Sequence, residues 1–439
     1  MSQALESITM SHHPLCRPDE HRFSRRQFLG GVGAAAAASM GTFGGLVQPA
    51  VAEDLKKRDK QVIFIWLDGG MSQLESWDPK PHTEFGGPFR AIPTSVPEIR
   101  VSELLRHTAK QMHHLAVVRS ACTQDNSHSA GIARIQRGDP KNRGVDYPFF
   151  GGAVSKLLGP CPGGLPPYMW VKPGNGGFIP GDGGFLGAKY GSLALGDGKP
   201  PESLLLPTTI TVAEDEYRNA FRTKLNARYA ARHRKANSEA NSYVYEVARE
   251  LSRRSDLFDE TKVSDRDRER YGHHDLGRHL LLGRRLLESG VRFVKVNSYG
   301  WDSHGDNFNA SQSLIGKFDQ GFAALLEDLS ERGMLDHTLV IALSEFGRTP
   351  RINSHVGRDH WPEAWSIAMA GCGLQRGIAV GATSDCGDVV ATEPYDIGHF
   401  FQTWFRALGI DPSVVEYDNH GQPLPIAHEG CGPIKALLA

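Results

Sequence analysis

Net charge is almost absent from this chain: 49 Lys+Arg stand against 50 Asp+Glu in 439 residues. A nucleic-acid partner needs a basic face to displace condensed counterions, and this balance offers none. Cysteine is scarce too, with 6 residues and no C-x-x-C spacing. That excludes a thiolate zinc site and a dense disulfide framework. Downstream of residue 52 no run of 18 apolar residues occurs, so no spanning helix is expected. No internal repeat is evident. The glycine clusters Gly174-Asn-Gly-Gly177 and Gly181-Asp-Gly-Gly-Phe-Leu-Gly187 do not follow a strand and open a helix. A dinucleotide or phosphate loop requires that context, so nucleotide binding is discounted. What is present is ordinary for a globular protein, at 40% hydrophobic and 23% charged residues. Glycine (49) and proline (26) run high, so many loops are long and shaped.

The first 52 residues read as an address. Ser24-Arg25-Arg26-Gln27-Phe28-Leu29-Gly30 precedes an uncharged stretch from Gly30 to Val47, and Ala50-Val51-Ala52 has the form of a cleavage site. This is the pattern of a twin-arginine export leader. The stretch is too weakly apolar and too rich in glycine for a good membrane anchor. The chain is therefore expected in the periplasm or secreted, with the twin-arginine translocation machinery as partner and no integral membrane association. That route moves proteins already folded, often with a metal or cofactor loaded first. Cys16 leaves with the leader; Cys122, Cys161, Cys372, Cys386 and Cys431 remain. Five cannot all pair, so they read as small buried residues, or as one or two bridges formed after export.

Beyond residue 52, continuous apolar runs predict buried strands at 61–67, 114–119, 168–171, 291–296, 338–343 and 366–370. Helical patterns occupy about 216–252, 266–289 and 310–332. Alternation of this kind implies an α/β fold, with a doubly wound, mostly parallel central sheet flanked by helices. Residues 159–207 are dense in Gly and Pro, and 214–290 are charged and helical. Together they read as a loop-rich and helical insertion at about 159–290 in a single domain of residues 53–439. The charges themselves read as a solvated helix face.

In such folds ligands sit beyond the carboxyl ends of the strands, and polar clusters recur there. Asp68 follows the first strand, and Asn126-Ser127-His128-Ser129 follows the second. Trp301-Asp302-Ser303-His304-Gly305-Asp306 and Ser344-Glu345-Phe346-Gly347-Arg348 follow later strands, and Gly357-Arg358-Asp359-His360-Trp361 lies in a loop beyond. Singly each is weak, because an Asp after a strand is often a cap or turn former and Ser127 a helix cap. Jointly they place carboxylates and histidines at five strand ends on one edge. Such a gathering needs a cation, and mixed oxygen and imidazole donors suit zinc, manganese or another divalent ion. Asp302 and His304, two residues apart in a loop, can both turn onto one ion. Asp319, on a helix away from these ends, is expected to take no part.

The motifs Asp68-Gly-Gly, Trp301-Asp-Ser-His-Gly-Asp, Glu345-Phe-Gly-Arg-Thr-Pro350 and Gly357-Arg-Asp-His-Trp-Pro362 resemble the domain of unknown function 1501 family. The resemblance spans the chain after its leader and places it in the alkaline phosphatase and sulfatase superfamily. It implies one or two divalent ions (zinc, manganese, magnesium or calcium) held by Asp68, Asp302, His304, Glu345, Asp359 and His360. It also implies a nucleophile in the Asn126 to Ser129 loop, at a helix N-terminus beside the metal. Ser127, His128 and Arg348 are the catalytic candidates: Ser127 to attack or position water, Arg348 to grip two ester oxygens or to pair with a carboxylate. Phe346 stands where the superfamily carries a histidine, and His128 or Asp359 is the candidate substitute. The expected activity is hydrolysis of sulfate or phosphate esters, small or polysaccharide. The alternative is a non-catalytic metal- or carbohydrate-binding surface protein on the same fold. A phosphoryl transferase or mutase ranks third, since nucleotides are scarce outside the cytoplasm. Cys122-Thr-Gln-Asp-Asn lacks the Cys-x-Pro-x-Arg context of formylglycine sulfatases.

The leader reading predicts that replacing Arg25 and Arg26 together by Lys keeps folded precursor in the cytoplasm, because the receptor reads the pair rather than its charge. Fractionation with immunoblotting checks this. Mature protein reaching the periplasm in normal amount would refute it.

Overall fold

A strand with no polar face has to lie inside a sheet covered on both sides, and Gln61–Leu67 (β1) is buried along its whole length. The computed structural model describes residues 59–438 except 139–143, 174–180, 200–205, 208, 232–234 and 420. The leader and the cluster Gly174 to Gly177 lie outside the described residues. After β1 come β2 (Ala91–Pro93), β3 (Arg100–Ser102), β4 (Leu115–Ala121), β5 (Tyr168–Lys172), β6 (Leu193–Gly196) and β7 (Phe293–Ser298). Then follow β8 (Thr338–Leu343), β9 (Gly347–Arg348), β10 (His360–Trp361), β11 (Trp365–Ala370), β12 (Ile378–Val380), β13 (Glu416–Asn419) and β14 (Gln422–Pro425). The α-helices are α1 (His128–Arg137), α2 (Phe150–Leu158), α3 (Val212–Ala230) and α4 (Lys235–Arg253), followed by α5 (Asp265–Tyr271), α6 (Asp275–Glu288), α7 (Asn307–Glu331) and α8 (Ile397–Ala407).

The main sheet has the order β12-β4-β11-β8-β1-β7-β5-β6. β1 runs parallel to both neighbours, Phe64 facing Lys295 of β7 and Ile341 of β8. The two faces divide the apolar residues by the two-residue period of a strand. Ile63, Ile65 and Leu67 join Val294, Val296, Val340 and the apolar faces of α6 and α7. Val62, Phe64 and Trp66 join Leu339, Ile341, Phe150 of α2 and Phe401, Trp404 and Phe405 of α8. The result is a three-layer α/β architecture with a core on each side of one sheet.

The sheet is mostly parallel, as expected, with β11 alone antiparallel to its neighbours β4 and β8. An apolar run buried on both faces carries no mark of direction. Other expectations need correction. The region read as an insertion supplies β5 and β6 to the main sheet, and α6 packs against β7. The single helix expected over 266–289 breaks between α5 and α6 at Gly272. Its φ is +92°, and a Cβ there would lie 2.5 Å from His274 Nε2. The helix expected over 216–252 is a hairpin of α3 and α4, opened by a capping box of Thr211 and Glu214. Cys122, Cys161, Cys372, Cys386 and Cys431 are all unpaired. No described helix is long and apolar enough to cross a membrane.

Asp319 is not a bystander. It is 1% exposed on α7, and its carboxylate accepts the backbone N–H groups of His107 and Thr108 at 2.8 and 2.7 Å. It thereby anchors the turn that feeds β4. Asp319→Ala leaves the Thr108 N–H buried without an acceptor, at a cost of about 1–3 kcal/mol. Urea unfolding of the variant should show a lower midpoint at unchanged slope; an unchanged midpoint would contradict this anchoring role.

Candidate metal centre

Four parallel strands, β4, β8, β1 and β7, end on one edge of the sheet, and the loops that leave them meet there. β4 leads through Asn126 and Ser127 into α1, β1 into Asp68-Gly-Gly70, β7 into the Asp302 loop and β8 into Glu345. The fifth cluster arrives differently from the sequence expectation. His360 lies on β10, paired antiparallel with Arg348 of β9, in a ribbon ahead of β11. The reversed direction of β11 is what brings that ribbon back to the same edge.

Close approach of these loops depends on glycine. Gly69 has φ of +117°, and a Cβ on it would lie 2.5 Å from the backbone nitrogen of Asp302. Gly70, at φ +99°, lies beneath Phe346 and Arg348. Arg348 is 0% exposed. It donates to the carbonyls of Gly69, Gly70 and Arg358 and to Asp302 Oδ1. Fully buried, with four of its five N–H donors bonded inside the protein, Arg348 pairs with a carboxylate and binds loops together; it does not reach out to an ester. Beneath it Arg358 holds Glu75 bidentately at 2.8 and 3.0 Å, both residues 0% exposed. Asn307 also donates to Glu75, and Ser303 to Asn307.

Above this base the imidazoles converge. The Nε2 atoms of His304 and His360 lie 3.0 Å apart, and they stand 3.0 and 3.1 Å from Asp302 Oδ1. His128 Nε2 lies 3.2 Å from Asp302 Oδ2. One ligand atom each from His128, Asp302 and His360 falls within 4.8 Å of the others. The outer nitrogens are engaged with acceptors: His304 Nδ1 with Asp359 at 2.6 Å, His360 Nδ1 with the Asn126 carbonyl at 2.6 Å and His128 Nδ1 with Glu345 at 2.7 Å. In neutral rings those bonds leave the Nε2 lone pairs pointing inward. Two lone pairs at this separation repel unless a proton or a metal ion lies between them. An ion with bonds of about 2.0–2.2 Å sets tetrahedral ligand atoms roughly 3.3 Å apart, close to these spacings.

Burial and neighbouring charges shift several of these groups. Burial works against an ionised Asp302, but hydrogen bonds from Arg348 and His360 prevail and hold its carboxyl well below the usual carboxylate range. Burial pushes His360 down, which favours the neutral ring a metal needs. The His304 hydrogen bond lowers Asp359. Burial raises Glu345 to about 7. His128 is raised: burial opposes its charge, but the bond to Glu345 outweighs it.

Of the residues expected as ligands, Asp302, His304 and His360 come together, and His128, expected as a catalytic residue, lies with them. Glu345 and Asp359 stand one layer out, orienting His128 and His304 as carboxylates commonly do behind metal-bound imidazoles. Asp68 is beside the group rather than in it. Its carboxylate meets Trp66 Nε1 and Asn297 Nδ2 at 3.2 and 3.4 Å, and burial raises its pKa. Ser127 is the N-cap of α1 and makes no side-chain cap bond, so its exposed hydroxyl is free of that duty. Phe346, where a histidine was expected, is buried and stacks on His360 at 4.2 Å between centroids. His128 supplies the missing imidazole from a different strand end. Sequence reasoning missed Glu75 and Arg358 as the supporting pair, and Lys295. That lysine is buried against Trp170 at 4.2 Å, donates to Gln136 and is lowered to about 7 by desolvation. Its only signal was a lysine inside an otherwise apolar strand.

Gly69→Ala should push the Asp302 loop away and strain the backbone by about 1–3 kcal/mol. Thermal unfolding would show a lower Tm, and a crystal structure of the variant a displaced Asp302. A variant as stable as its parent, with Asp302 in place, would show that the two loops do not depend on this contact.

Among solved structures, the chain is similar to Ps i-CgsB in complex with k-i-k-neocarrahexaose, with 10% identity, 83% of this chain and 74% of that one covered, and a TM-score of 0.41. It is similar to the PsFucS1 sulfatase from Pseudoalteromonas sp., with 14% identity, 83% and 72% covered, and a TM-score of 0.36. A third is a protein in the alkaline phosphatase superfamily from Vibrio parahaemolyticus, with 9% identity, 80% and 66% covered, and a TM-score of 0.35. A search of curated proteins gives no significant match. A family described as protein of unknown function (DUF1501) matches residues 59–438, and the chain belongs to that family.

Proposed function

We propose that this chain is an exported, metal-dependent hydrolase of sulfate or phosphate esters. The observation that carries the reading is the inward-facing set of His128, Asp302, His304 and His360, each imidazole fixed from behind by an acceptor. Motif resemblance to the alkaline phosphatase and sulfatase superfamily supports the ester class, and the paired arginines of the leader support export by the twin-arginine machinery to the periplasm or beyond.

Asp302, His128 and His360, with His304, would hold a divalent ion of the zinc or manganese type. Such an ion, when bound, lowers the pKa of a coordinated hydroxyl and stabilises charge on a tetrahedral ester. The chain's own contribution is arrangement. Asn126, Ser127 and the first turn of α1 present backbone N–H groups and a hydroxyl beside the site, a favourable seat for a sulfate or phosphate. Ser127 attacks or positions water, its exposed hydroxyl standing at the N-cap of α1 immediately before His128. Glu345 and Asp359 fix the ring orientations. With Arg348 spent internally, the helix N-terminus carries the anion binding, and the substrate is a small or polysaccharide ester.

The engagement of Arg348 inside the fold favours a second reading, a non-catalytic metal- or carbohydrate-binding surface protein. Metal analysis of the purified mature chain, with a screen of aryl sulfates and phosphates, separates the two: bound metal with turnover supports the hydrolase, and bound metal without turnover the alternative. Asp302→Ala should lower metal affinity by more than 10-fold and Asp359→Asn by about 10–100-fold. Asp359→Asn should lower Tm mainly when metal is supplied, because the ion stabilises the state that binds it, whereas Asp302→Ala should lower Tm without metal as well, because it removes the carboxylate partner of buried Arg348. Metal content equal to the parent in Asp302→Ala would sink both readings.

A further inference from the structure

On the flank of the molecule, between α5, α6 and the turn after β6, lies a cavity of about 310 Å³. That is about ten waters' worth of liquid volume, at the small end of the range for ligand pockets. It shares no residue with the candidate metal centre. Leu257, Phe258, Tyr271 and Leu282 give it an apolar wall.

Two imidazoles line it with bonds unmade. His279 is 0% exposed, and neither of its ring nitrogens has a hydrogen-bond partner. Its Nε2 lies 3.3 Å from Asp197 Oδ1, a long ion-pair contact, and its Nδ1 has no partner at all. His274 accepts the Gly277 N–H on Nδ1 at 3.0 Å. A neutral His274 ring therefore carries its proton on Nε2, and that buried atom has no acceptor. Buried polar groups in native proteins are nearly always bonded, so two such rings on one cavity mark places for a ligand's polar atoms.

The rim sets the sign of the ligand. Arg278 is matched by Asp197, Glu260 and Asp275, and Arg268 by Asp265. Arg285 bonds only the backbone carbonyls of Asp256 and Asp259, and it has no ion pair among the described residues. The nearby Asp259 carboxyl feels that charge, yet no carboxylate is bonded to it among the described residues.

We propose that this cavity binds a small organic acid: a ring-sized apolar body seated on Leu257, Phe258 and Leu282, with one carboxylate directed to Arg285 and the histidines. Phenylacetate is the probe, and 2-phenylethylamine, with a similar body and the opposite charge, is its counterpart. Isothermal titration of the mature chain should give saturable phenylacetate binding, with the amine at least tenfold weaker. Arg285→Gln should weaken phenylacetate at least tenfold. Val263→Trp, a change at a half-buried lining position at the margin of the core, should abolish binding while circular dichroism shows the fold retained. Asp302→Ala should bind phenylacetate as the parent does, which separates this cavity from the metal centre. The proposal is overturned by lack of saturable binding, by equal binding of the amine, by binding retained in Val263→Trp, or by binding lost in Asp302→Ala.

Discussion

Everything at the candidate centre rests on one guanidinium. Arg348 joins the turn after β1, the loop after β7 and the ribbon that carries His360, through three backbone carbonyls and one carboxylate. A buried cation is tolerable only when its charge is paired and its donors are largely matched, and four of the five N–H donors of Arg348 are bonded. The match here fixes three chain segments in one arrangement. Arg358 and Glu75 repeat the device one layer lower, where neither charge touches solvent. Asp302 is thus held ionised and oriented before any ligand arrives.

Pre-organisation of this kind explains the layering of the site. Oxygen acceptors hold the outer nitrogens of three rings, and Phe346 fills the space behind one of them. The inner nitrogens are left crowded around a single carboxylate. Such crowding is unfavourable without positive charge, so the scaffold stores a preference for a cation in its geometry. The same economy of bonds removes Arg348 from substrate contact. A residue cannot both bind four acceptors inside the fold and reach an anion outside it.

Much of this was legible from the residues. Strands β1, β4, β7, β8 and β11 announced themselves as apolar runs because both faces of each are covered. β6 and β12 did not, being four and three residues long at the two margins of the sheet. The antiparallel course of β11 left no trace, since burial on both faces looks the same in either direction. Asp302, His304, His360 and His128 were visible as chemistry-bearing residues at loop positions. Which carboxylates stand among the imidazoles and which behind them was not visible, because Glu345 and Asp302 differ only in how far each loop carries its side chain. Glu75 and Arg358 were hidden for a related reason: their roles come from contact across more than 280 positions, and no local pattern encodes that.

The position of β1 has a kinetic side. It is the first strand of the sheet to be synthesised, yet its neighbours are β7 and β8, and the Gly69 bond to Glu345 closes a loop of 276 residues. Contacts of such long range are slow to form, because the entropy of closure is spent before they return anything. Until residue 293 has emerged, both edges of a seven-residue apolar strand stay unpaired, open to pairing with another chain. A nascent chain of this topology needs its opening segment shielded through most of its synthesis. The histidines and Asp302 are spread from residue 128 to residue 360, so the centre assembles only as the sheet closes.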